Sequence, residues 1–173
     1  ETVLMAAASN LGAFRPRSAG ECGAQPPGAP FRWNGKAVLI GSSTGGVDAL
    51  LKVLADYPEN GPPTVICQHM PKEFLESFAR RLDKHCRSEV ALAESGDVLV
   101  QGRILLAPGG DVQTVLERGE PLRIENLSHD GSERYVPSVN MLFDSGVAHA
   151  ARLVGVMLTG MGRDGAKALL AMR

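Results

Sequence analysis

Residues 37–68 place an apolar run, a glycine-rich turn, an amphipathic stretch and a second apolar run in succession: "AVLI", "GSSTGG", "VDALLKVL" and "PPTVICQ". Short apolar runs bounded by Gly and Pro predict buried strands, while apolar residues three and four apart in "GVDALLKVLADY" predict a helix. A strand, a helix and a strand in this order make a crossover unit and hence a parallel pair. Parallel sheets are covered on both faces, so this one segment commits the chain to an α/β layer architecture.

The rest of the chain extends that order. "PKEFLESFARRLDKHC" predicts a helix with Phe74, Leu75, Phe78 and Leu82 on one face and Arg80, Arg81, Lys84 and Arg87 crowding its C-terminal half, where cations suit the helix dipole. Residues 88 to about 127 hold four short strand-like runs, "EVALAE", "GRILLAP", "DVQTVLERG" and "LRIENL", read as an inserted antiparallel hairpin region. "PSVNMLFDSGVAHAARL" predicts a helix starting at Pro137 and Ser138, "LVGVMLTG" a last buried strand, and "MGRDGAKALLAM" a terminal helix. The expected fold is a doubly wound, mostly parallel α/β sheet with an antiparallel insertion.

Residues 1–34, rich in Gly, Pro and Ala, read as a leader or interdomain linker, with "TVLMAAASNLGAF" as a short helix within it. Residues 35–173 read as one domain whose terminal helix breaks off at Arg173 without a stop signal, so a truncated C-terminus is expected.

A formal net charge of -1 excludes binding to nucleic acid or an acidic membrane through overall charge. No apolar run reaches the roughly 20 residues of a spanning helix, and no secretory pattern opens the chain. Cys22, Cys67 and Cys86 are odd in number and lack C-x-x-C spacing, against a disulfide framework or a cysteine metal site. A reducing cytoplasm is the expected compartment.

The turn admits two chemistries. For a phosphate cradle, Gly41 and Gly46 have P-loop spacing, but Val47 stands where the lysine must reach the phosphates, and Ser43 replaces the second glycine of a dinucleotide fingerprint. Backbone amides at the helix start still offer a noncatalytic nucleotide or phosphopeptide site over Gly41–Gly46. For a nucleophile, Gly41-Ser42-Ser43-Thr44-Gly45 satisfies G-x-S-x-G on a strand-to-helix turn, which presents Ser43 outward beside free helix amides. Such small residues also serve tight packing, with Ser43 as a helix cap.

A serine nucleophile needs a base within reach. In a parallel sheet the crevice lies beyond the carboxyl ends of the strands. His69 follows "TVICQ" at such an end; His85 and His149 lie on or near the ends of helices, and His129, in "LSHDGSER", is the remaining rival. Asp164 follows "LVGVML" at a third strand end, between Gly162 and Gly165, where it could orient His69 or simply favour a helix N-terminus. The order Ser, His, Asp differs from the Ser, Asp/Glu, His order of α/β-hydrolases.

Together "IGSSTGG", "CQHMP", "APGG", "HDG", "PSVNMLF" and "LTGMGRDGA", over about Lys36 to Arg173, closely resemble the catalytic domain of the chemotaxis protein-glutamate methylesterase (CheB) family. The resemblance implies hydrolysis of glutamyl methyl esters on chemoreceptor signalling domains, with deamidation of receptor glutamines in many members and no cofactor or metal. It implies Ser43 as nucleophile, His69 as base and Asp164 as orienting acid, with oxyanion contacts around Thr44 and the backbone amide of Met161. It also implies an upstream receiver domain, absent from this chain. Val112 and Val136 stand where family members often carry histidine and a basic residue. An interaction domain that keeps the fold without activity is a further reading.

Overall fold

Leu39 and Ile40 are neighbours in the chain and both fully buried, yet they enter different hydrophobic cores. A strand that is apolar on both faces requires cover on both. The computed structural model describes residues 31–160 and 162–173. Within them the main sheet has five parallel strands in the order β3-β4-β2-β1-β7. These are β1 Ala37–Ser42, β2 Thr64–Gln68, β3 Glu89–Leu92, β4 Arg103–Leu106 and β7 Leu153–Met157. β5 (Val112–Leu116) and β6 (Ile124–Ser128) form a separate antiparallel hairpin.

Helices α1 (Gly46–Ala55) and α2 (Lys72–His85) cover one face. Leu50 and Leu54 of α1 and Leu75, Phe78 and Leu82 of α2 pack there with Ile40, Ile66, Ile104 and Leu106. The opposite face is covered by α3 (Val139–Gly146), by α4 (Ala166–Ala171) and by the hairpin. There Leu142, Phe143, Ala168, Leu116 and Ile124 meet Leu39, Val65, Cys67 and Leu105. Side chains on alternate strand positions thus divide between the two cores, which makes the sheet doubly wound as expected.

Two elements differ from the sequence reading. "EVAL" and "RILL" belong to the main sheet, with Val90 paired to Ile104 and Leu105 to Val65, so the antiparallel insertion is β5–β6 alone. Ile104 and Leu105 face opposite cores, and an interior parallel strand is what satisfies both. The sequence reads β7 as a buried strand, but among the described residues it is an edge strand with Val154 and Met157 exposed. An apolar run looks alike in sequence whether it is flanked on one side or on two. The expected leader over residues 1–34, including its short helix, lies outside the described residues up to Pro30.

Three backbone hydrogen bonds continue the sheet past its carboxyl edge. Leu158 N–H donates to Gly41 O at 3.0 Å, Ser43 N–H to Thr159 O at 2.7 Å, and His69 N–H to Ser42 O at 2.9 Å. The loops after β1, β2 and β7 are thereby held side by side.

Candidate active site

Ser43 is the first residue after β1, and α1 begins three residues later. The turn closes through Gly45, whose φ of +78° lies in the left-handed region that glycine adopts freely. A Cβ at Gly41 would run into Val139, and one at Gly46 would approach Ser42 and Gln68. These two glycines thus serve close packing, and Gly46 N–H is already donated to Ser43 O at 2.8 Å. Across the turn, a Cβ on Gly160 would sit 2.6 Å from Ser43 Cβ. Only glycine lets the loop after β7 approach the serine this closely. Among the described residues, neither Thr44 N–H nor Gly45 N–H donates to a protein acceptor.

Ser43, His69 and Asp164 form a continuous chain of contacts. Ser43 Oγ lies 3.2 Å from His69 Nδ1, and His69 Nε2 lies 2.7 Å from Asp164 Oδ2. The His69 and Asp164 side chains are 13% and 7% exposed, so the second contact is shielded from water while the first faces the cleft. An ionised Asp164 accepts from Nε2–H, which fixes the neutral tautomer and leaves Nδ1 free to accept from Ser43 Oγ–H.

Asp164 is itself held at the start of α3. Its Oδ2 accepts Val139 N–H at 2.8 Å, and its Oδ1 accepts Asn140 N–H at 3.1 Å and Ser138 Oγ–H at 3.2 Å. Burial pushes the carboxyl up, but the bonds from His69 and the Val139 and Asn140 amides outweigh it and hold the group below the ordinary carboxylate range. The acid therefore stays ionised beside the imidazole.

A buried glutamine fixes the backbone under both Ser43 and His69. Gln68 Nε2–H donates to Ser43 O and to His69 O, each at 3.0 Å, while its Oε1 accepts Ser42 Oγ–H at 2.6 Å. A second one, Gln113 of β5, donates to Tyr135 O and accepts Ser138 N–H, both at 2.8 Å. The cleft over the serine measures about 180 Å³ and is lined by Ser43, His69, Thr159, Gly160, Arg163 and Asp164 among others.

A family profile described as CheB methylesterase matches residues 38–173. The chain belongs to the CheB methylesterase family. It is similar to protein-glutamate methylesterase/protein-glutamine glutaminase 1 of Caulobacter vibrioides, 49% identical over 87% of this chain and 46% of the relative. The corresponding protein of Agrobacterium fabrum is 48% identical over 93% of this chain and 46% of its own length. This CheB-family chain thus spans less than half the length of these relatives. Among solved structures it resembles the Thermotoga maritima CheB methylesterase catalytic domain, with a TM-score of 0.74, 34% identity, and coverage of 81% of this chain and 75% of that one.

Of the residues singled out in sequence, this CheB-family domain brings Ser43, His69 and Asp164 together and puts Thr44 exposed on the turn beside them. Met161 lies outside the described residues. The rings of two other histidines are engaged elsewhere, while Nδ1 of His129 is buried with no hydrogen-bond partner among the described residues. His85 Nδ1–H donates to Arg81 O, His149 Nε2–H donates to Glu117 O, and His129, just after β6, is joined through its backbone to Asp111. Cys67 is fully buried, and burial followed by the nearby Asp164 charge pushes its thiol well up, so it packs as an apolar group. Sequence reading passed over Gln68, Gln113, Tyr135 and Ser138 in its role toward Asp164. The one available signal was Ser138 as a helix start, which places free amides where a carboxylate can bind.

Among the described residues, no helix is long and apolar enough to cross a membrane, and no group of three or more His, Cys, Asp or Glu could hold a metal.

Proposed function

We propose that residues 35–173 are the catalytic domain of a serine-type protein-glutamate methylesterase acting on methylated chemoreceptor signalling domains, with residues 1–34 as its linker to an upstream receiver domain. The observation that carries this reading is the unbroken contact chain from Ser43 Oγ through the His69 ring to Asp164, in a chain of the CheB methylesterase family.

In the reaction, Ser43 Oγ attacks the glutamyl ester carbonyl while His69 Nδ1 takes its proton. Asp164 at Nε2 stabilises the imidazolium that forms. The tetrahedral oxyanion is held by the Thr44 amide, free of protein acceptors among the described residues, together with the Met161 amide; each such donor is worth on the order of 10²–10³-fold. The imidazolium then protonates the departing methoxide, and methanol leaves an acyl-enzyme. Water repeats the cycle, with His69 as base, and frees the glutamate and Ser43. The same steps on a carboxamide release ammonia, which fits the glutaminase activity in the relatives' names. No cofactor enters, and the cytoplasmic face of the receptor is the working compartment.

The phosphate-cradle alternative has weaker support, because Gly46 N–H is spent within the turn and Gly41 and Gly46 serve packing. Incubating the wild type and Ser43→Ala with a methyl-labelled receptor signalling domain tests the proposal. Methanol release is expected from the wild type and none from folded Ser43→Ala; equal release from both overturns it.

A further inference from the structure

The Tyr135 ring lies flat against the His69 imidazole, with centroids 4.4 Å apart and planes within 10° of parallel. No step above uses it. We propose that Tyr135 is a positioning residue for the base: its ring holds the plane of the imidazole and covers the charge it gains. This rests on the reading of His69 as general base.

The hydrogen bonds to Ser43 and Asp164 both run from the ring nitrogens, in the plane of the imidazole. In-plane bonds resist sliding but resist tilting only weakly, and tilting swings Nδ1 away from Ser43 Oγ. A ring packed on the face opposes that motion directly. A second cleft, of about 330 Å³, also reaches His69 and is lined by Tyr135, Met70, Pro71, Arg134 and Pro137. Tyr135 and His69 thus line that opening together. The negative π-face of the phenol ring favours the imidazolium over the neutral ring, so its contribution grows as the serine proton is transferred. Interactions that strengthen in the transition state appear in kcat.

The placement of Tyr135 is coupled to that of the acid. Gln113 Nε2–H donates to Tyr135 O, and Gln113 Oε1 accepts from Ser138 N–H. Ser138 Oγ–H in turn donates to Asp164 Oδ1. One buried side chain of the hairpin therefore sets both the ring on the base and the helix start that holds the acid. Arg134 lies 5.6 Å from the Tyr135 centroid, a second cation held against the same ring.

The test compares Tyr135→Phe and Tyr135→Leu in the full chain, using kinetics on a methylated receptor signalling domain and proton NMR of His69. Tyr135→Phe is expected to keep the wild-type kcat. Tyr135→Leu is expected to lower kcat about tenfold with KM unchanged, within what misplacement of a reacting group costs. The His69 carbon-bound ring protons, assigned by their loss in His69→Gln, should lie upfield of those of the other histidines in the wild type and Tyr135→Phe, and move downfield in Tyr135→Leu. Wild-type kcat in Tyr135→Leu, or an equal loss in Tyr135→Phe, overturns the proposal. Should Tyr135→Leu not fold, absence of the upfield shift in the wild type overturns it, and its presence there and in Tyr135→Phe sustains it. A wild type without methylesterase turnover refutes the proposed function instead, and the His69 resonances still decide on the stack.

Discussion

The backbone N–H of Val139 donates to Asp164 Oδ2 at 2.8 Å, and the same oxygen meets His69 Nε2 at 2.7 Å. One carboxylate oxygen thus joins the start of helix α3 to the imidazole, so its ionisation bears on stability and, on the proposed function, on catalysis.

Asp164 is held below the ordinary carboxylate pKa of about 3.9. A lowered native pKa stabilises the fold fully above the unfolded value, and that stabilisation is lost as pH falls through the native one. Asp164→Asn is therefore expected to melt below the wild type at pH 7, with the gap closing under acid. Melting curves across this range check it, and a pH-independent gap defeats it. At neutral pH the same variant should lose activity on the order of 10⁴-fold, as expected when the orienting acid of such a triad becomes an amide.

Ser138 both caps α3, accepting Met141 N–H at 3.3 Å, and donates to Asp164 Oδ1. Ser138→Ala is expected to cost about 1 kcal/mol as a lost cap. It should also lower kcat more than KM. Denaturant titration with steady-state kinetics checks both, and an unchanged kcat would show that the backbone amides alone hold the acid.

Gln68 is 2% exposed and its amide group makes three hydrogen bonds. Gln68→Leu has a similar volume but leaves the Ser42 hydroxyl and the Ser43 and His69 carbonyls without that partner. A loss of about 1–3 kcal/mol is expected, together with reduced labelling of Ser43 by a fluorophosphonate. A stable variant labelled at the wild-type rate would refute the role.

Gly160→Ala puts a methyl 2.6 Å from Ser43 Cβ, with neither atom at the flexible end of a side chain. Overpacking of this kind costs about 1–3 kcal/mol. Because the displaced residue is Ser43 itself, ester hydrolysis should fall further than the melting temperature indicates. Parallel assays of both quantities decide, and full activity in Gly160→Ala would contradict the close approach.

The alternation of strand and helix was legible because buried parallel strands leave unmistakable apolar runs, and Ser43, His69 and Asp164 stood out as chemically complementary types at three strand ends. What escaped notice has a common physical cause. Gln113 reaches Tyr135 and Ser138 across more than twenty positions of chain, and Gln68 reaches back as far to Ser43. Each looks locally like an ordinary polar residue, and only tertiary pairing gives it a task. Likewise "EVAL" and "RILL" carry no local mark of parallel pairing, since Leu105 gains its second neighbour from β2.

β1, which leads to Ser43, lies between β2 and β7, which lead to His69 and Asp164. β7 is the outermost of the three and has its only strand partner, among the described residues, in β1. Loss of that strand's pairing would leave Asp164 held only by the start of α3 and by His69, with serine and base on intact neighbours. On the proposed function, esterase activity is therefore a more sensitive gauge of fraying at this edge than any spectroscopic measure of total sheet content.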